Sequence, residues 1–193
     1  MSKGRLEAFS DGVFAVIITI MVLEMKSPHG ISLRSLLPVL PVFFSYVLSF
    51  VYIGIYWNNH HHLLHAAQHV TGGILWANLH LLFWLSLVPF TTAWMGENHF
   101  AAWPVALYGV ALFFAGIAYY ILTKMLIACH EKDSTLARSI GSDRKGKVSV
   151  VVYAIAISLS FLQPLIALVG YVLVAIMWLV PDPRIEKNLA PQS

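Results

Sequence analysis

Four stretches of the chain contain no Asp, Glu, Lys or Arg: Ser35 to Asn59, Val70 to Gly96, Phe100 to Thr123 and Val148 to Val180. A helix needs roughly 20 apolar residues to cross about 30 Å of hydrocarbon, so each of the first three predicts one membrane span. The fourth would reach about 50 Å as a single helix at 1.5 Å per residue, too long for a bilayer even with tilt. Gln163-Pro164 lies near its middle. Proline removes a helical donor and clashes with the preceding turn, so two shorter spans are expected there. A further segment, "RLEAFSDGVFAVIITIMVLE" at residues 5–24, has charges at both ends and only Gly12 to Leu23 uncharged between Asp11 and Glu24. The prediction is an all-α polytopic membrane protein of six helices, with residues 1–193 forming one membrane domain. Pro38 and Pro41, early in the second span, are expected to bend it.

Composition supports the membrane class. The chain has 193 residues, 59% hydrophobic and 11% charged, against about 25% charged in soluble domains. A net charge of +3 would suggest nucleic acid as a partner for a soluble protein, but here the placement of the basic residues explains it. Six spans collect Lys3, Arg5, Lys124, Lys132, Arg138, Arg144, Lys145, Lys147, Arg184 and Lys187 on one side and leave only Lys26 and Arg34 on the other. By the positive-inside rule both termini face the cytoplasm. The expected cytoplasmic segments are a loop, 130–147, and a short tail, 182–193. Lys3 and Arg5 ahead of an apolar run resemble a signal peptide, but Glu7 and Asp11 interrupt that pattern, so a retained first helix is expected. A single cysteine, Cys129, excludes an internal disulfide framework and a Cys-rich metal site, and it reads as a small buried hydrophobe.

The first segment is poorly matched to lipid: Gly12 to Leu23 spans only about 18 Å as a helix. Such a helix belongs inside a bundle. On a 3.6-residue period Val16, Thr19, Ile20 and Leu23 share a face, with Gly12 one turn before. Asp11 projects roughly 140° from Val16 and is expected to point at neighbouring helices, into the protein. An apolar and hydroxyl stripe on one side suits a pore, although periodicity alone leaves ordinary packing as the alternative.

The motif Arg5-x-x-x-Phe9-Ser10-Asp11-Gly12, followed by "VFAVIITIMVLE", resembles the first-helix signature of the transmembrane-protein-175 potassium channels. "YWNNHHHLLH" at the end of the second span and "LWANLHLLFWLSLVPFTTAWMGE" across the third resemble the same family. The resemblance implies a cation channel that conducts potassium without a TVGYG filter, a sequence absent here too. It implies a homotetramer in the cell membrane, with the first helix of each copy lining a central pore and no cofactor. Val16 maps to the family's narrowest constriction, Thr19 lies one turn on, and Ile20 and Leu23 continue the lining. The family usually carries isoleucine or leucine at the first of these positions, so the tightness of the constriction turns on Val16. Apolar rings gate by dewetting, and a ring of Thr19 hydroxyls would replace part of an ion's hydration shell. A weakly selective or proton-permeable channel is the alternative.

"NNHHHLLHAAQH" supplies His60, His61, His62, His65 and His69. His61, His65 and His69 fall on one helical face at metal-compatible spacing. A membrane metalloenzyme needs several such clusters with acidic residues, and only isolated histidines remain elsewhere. The expectation is no metal and no enzyme. Instead, Trp57 and either His60 or His61 are placed to bond Asp11, Arg5 or Ser10. The resemblance implies that this network braces the pore helix. Asn78 and His80 in the third span need polar partners. A secondary transporter would require an inverted repeat, and none is evident.

Overall fold

Each of the six hydrophobic segments forms a helical rod in the computed structural model, which describes residues 2–129 and 144–179. The first rod is α1, Lys3–Leu23. A 3-10 stretch, Leu33–Val39, leads into α2, Leu40–Ala66. The third rod is divided into α3, Gly72–Ser86, and α4, Val88–Glu97. The fourth is α5, Ala102–Ala128. A hairpin of α6, Arg144–Ser160, and α7, Pro164–Leu179, completes the described chain. By length and composition α1, the 3-10 stretch with α2, α3 with α4, and α5 are able to cross a membrane. The protein is therefore an all-α, multi-pass membrane protein. Of the expected cytoplasmic loop, Arg144 to Lys147 form the start of α6; residues 130–143 and the tail 182–193 lie outside the described residues.

Many of these residues, such as Val16, Ile17, Ile18 and Ile20, are β-branched and disfavour helix in water. Lipid reverses that preference, because a helix satisfies every backbone donor and acceptor within its own segment. Proline marks the element ends. Pro38 lies in the 3-10 stretch and Pro41 in the first turn of α2, where the missing N–H has no partner to lose. The bend expected from these prolines is thus a change of helix type, not a kink within α2. Pro89 in the first turn of α4 follows the break at Leu87. Pro164 opens α7 just after Gln163 N–H closes the preceding helix onto Leu159 O at 2.8 Å.

The core lies where α5 packs against α3, α4 and α6, and α2 against α4. Its interior is rich in tyrosine. The Tyr52 hydroxyl donates to Tyr171 O at 2.6 Å, and the Tyr171 hydroxyl to Val105 O at 3.2 Å. Ser49 pairs with Thr92 at 2.6 Å and donates to the Tyr108 hydroxyl at 3.1 Å. These bonds meet the rule that a polar group away from water must find a partner. Cys129 departs from its expectation. It caps α5 at the rim and is exposed, not buried.

Candidate pore helix and its brace

Helix α1 has two unlike sides. Leu6, Ser10, Phe14, Ile17 and Met21 are buried at steps of three and four residues and face α2, α3 and α4. The opposite side is open: Val16 is 54% exposed, Ile20 41% and Leu23 79%, and Thr19 and Gly12 are exposed with them. The Thr19 hydroxyl turns back along its own helix and donates to Val16 O at 2.9 Å. Beside this face runs a groove of about 670 Å³, lined on α1 by Phe9, Gly12, Val16 and Ile20, just past its end by Glu24, and on α4 by Pro89 and Phe90. No neighbouring atom restricts a side chain at Gly12, so the single chain offers no steric reason for glycine there.

The buried side is held by a directional chain of hydrogen bonds. Ser10 Oγ donates to Leu6 O at 2.9 Å, so its oxygen is left to accept from Asn78 Nδ2 at 3.0 Å. Asn78 Oδ1 lies 2.7 Å from His60 Nε2. A carbonyl oxygen only accepts, so His60 must carry its hydrogen on Nε2. All three residues are buried, and the His60 ring also rests against Phe14 with centroids 5.5 Å apart. One link is thus shared by α1, α2 and α3.

A second link lies nearer the surface. Trp57 Nε1 donates to Asp11 Oδ1 at 3.0 Å. Asp11 therefore contacts a neighbouring helix, but its side chain is exposed, not directed into the interior. His61 does not reach Asp11; its ring stacks on Trp57, with centroids 6.1 Å apart. Arg5 is exposed and bonds none of these residues. His80 accepts a hydrogen bond from Trp84 Nε1 at 3.0 Å, away from the brace. His69 leaves the face of His61 and His65, because α2 ends at Ala66 and the following residues are extended.

Sequence reasoning missed the end of this seam. Lys3 Nζ donates to His65 O at 2.8 Å and lies 3.8 Å from Glu7 Oε1. The signal was available: Lys3, Glu7 and Asp11 recur every four residues on α1, as do Trp57, His61 and His65 on α2. Antiparallel helices bring the two sets into register.

Among known proteins, the family model described as endosomal/lysosomal potassium channel TMEM175 matches residues 5–89. A protein from Chryseobacterium sp. (strain P1-3) named a potassium channel is 57% identical over 98% of both chains. The chain belongs to the TMEM175 family. A further relative, named a potassium channel of Streptomyces collinus, is 29% identical over 95% of this chain and 96% of its own. The fold agrees with a crystal structure titled a lysosomal potassium-selective channel TMEM175 homolog from Chamaesiphon minutus. That match has a TM-score of 0.78 and 29% identity, covering 92% of this chain and 96% of that one. Membership of a TMEM175 channel family sets aside the metal-dependent enzyme. The family match also covers α1, α2 and α3, the three helices that the brace joins.

Proposed function

We propose that this chain is one subunit of a homotetrameric, potassium-conducting cation channel in the cell membrane, with both termini cytoplasmic. Four copies of α1 surround the axis. Val16 forms the first constriction, and Thr19, Ile20 and Leu23 continue the lining. The observation that carries this reading is the asymmetry of α1: one side is buried and braced, the other is apolar, uncovered and interrupted by a single hydroxyl. Lipid tails would tolerate that face, and the groove alongside it at α4 offers a place for a neighbouring copy to pack. The names of the relatives favour potassium as the permeant ion. With no ring of backbone carbonyls to replace a hydration shell, discrimination rests on the hydroxyl ring and on constriction width.

The test is ion flux from liposomes containing purified protein under a potassium gradient. Val16→Ala widens the constriction and is expected to raise flux. Thr19→Val keeps the side-chain shape, removes the oxygen, and is expected to lower the preference for potassium over sodium. Unchanged flux and selectivity in both variants would sink the assignment of α1 as the pore helix.

A further inference from the structure

No hydrogen bond of the brace uses the imidazoles of His61 and His65, although the His61 ring stacks on Trp57. Both side chains are exposed on α2, and neither ring has a hydrogen-bond partner among the described residues. The two residues are spaced i, i+4 on one helix, the spacing by which paired histidines grip zinc. Their rings are nearly parallel, 20° apart in plane, with centroids 6.0 Å apart. Two imidazole nitrogens held tetrahedrally about 2.0–2.1 Å from zinc put their ring centroids about 5 Å apart. The spacing therefore suits a chelating pair, which rotation of the two side chains out of their stacked arrangement would complete without movement of the backbone.

We propose that His61 and His65 form a binding site for a divalent transition metal of the zinc, copper or nickel type. Among the described residues no three metal-ligating side chains converge, so water completes the coordination. Imidazole nitrogen suits these metals and excludes calcium and magnesium, which require oxygen ligands. His62 is the next residue along and stands edge-on to His61, with centroids 5.5 Å apart and off the shared face. The facing helix contributes Lys3, at the His65 carbonyl, and Glu7, which the register places opposite His61. With Asp11, held by the Trp57 on which His61 stacks, α1 presents one positive and two negative charges to this side of α2, a balance that favours a cation. This differs from the catalytic metal centre that the sequence argues against: two ligands hold an ion but perform no chemistry. The site's position gives it a use. His61 stacks on the Trp57 that holds Asp11 of α1, so a metal fixing the His61 ring bears on the pore helix through one side chain. That coupling rests on the channel reading; the binding does not.

Zinc titration of the purified full chain by calorimetry tests the site. One zinc ion per chain is expected. His61→Ala and His65→Ala should each weaken binding by at least the about 10–100-fold that loss of a supporting partner costs, while His62→Ala leaves it unchanged. Binding should also weaken on acidification, because imidazole ligates only when neutral. No zinc uptake, or uptake that survives both His61→Ala and His65→Ala, would overturn the site. Folding of each variant is checked by its elution as the wild-type oligomer. The coupling has its own readout: zinc should alter potassium flux in wild type and not in His65→Ala, which removes the imidazole and keeps the backbone carbonyl that Lys3 bonds. Zinc that binds the pair yet leaves flux untouched would overturn the coupling and leave the channel reading standing.

Discussion

Asn78 is the residue on which most depends. It is fully buried, and it alone joins His60 on α2 to Ser10 on α1. Leaving one buried polar group without a partner costs about 1–3 kcal/mol. Asn78→Leu strands both the His60 N–H and the Ser10 oxygen, so a loss at the upper end of that range is expected. A thermal melt in detergent would show it as a lowered midpoint; an unchanged midpoint would mean the chain of hydrogen bonds contributes little. Trp57→Phe tests the outer link. It leaves a smaller aromatic ring beside His61 and deletes the donor to Asp11. Because Asp11 is exposed, a smaller cost is expected, about 0.5–1.5 kcal/mol for a single bond, read in the same melt. The sequence made the participants legible, since tryptophan, histidine and asparagine in apolar spans demand partners. It could not order them. Which histidine turned inward depended on the rotation of α2, and that is set by contacts distant in sequence.

At the level of elements, the hydrophobic segments were readable because lipid permits few alternatives to helix. The break at Gln163-Pro164 followed from span length and proline chemistry. The division of the third rod at Leu87 was not foreseen, because the segment from Val70 to Gly96 carries no charge to interrupt it and Pro89 is its only mark. The period that puts His69 on the face of His61 and His65 fails for a similar reason: it runs past Ala66, where α2 ends. The close approach of α4 to the backbone of α2 depends on Gly96. A Cβ there would sit 2.6 Å from Val42 Cα and 2.6 Å from Ser45 Oγ, both on α2. Backbone cannot yield as a side chain can. Gly96→Ala should therefore push α4 from α2 and cost about 1–3 kcal/mol, as overpacking does. The melt measures the cost, and a neutral result would show that α2 and α4 slide freely.

For the whole molecule, the decisive question is what covers α1. Its braced side belongs to the subunit, and its open side needs either lipid or other copies. A ring of four identical chains closes through head-to-tail contacts, two different faces of each chain meeting about one axis. Four chains of 21.5 kDa give about 86 kDa of protein once detergent is subtracted, the expected result of light scattering on the purified particle. A mass of one chain would leave α1 facing lipid. The groove beside it would then be a surface feature without a neighbour.

The Thr19 hydroxyl has one hydrogen, and Val16 O holds it. What Thr19 shows to its surroundings is therefore oxygen lone pairs alone. A ring of such groups has nothing to donate, so an anion stripped of water would find no partner there, whereas a cation would find four. The sign of the permeant charge would then be set by a bond within one turn of one helix, before diameter or gating has any say.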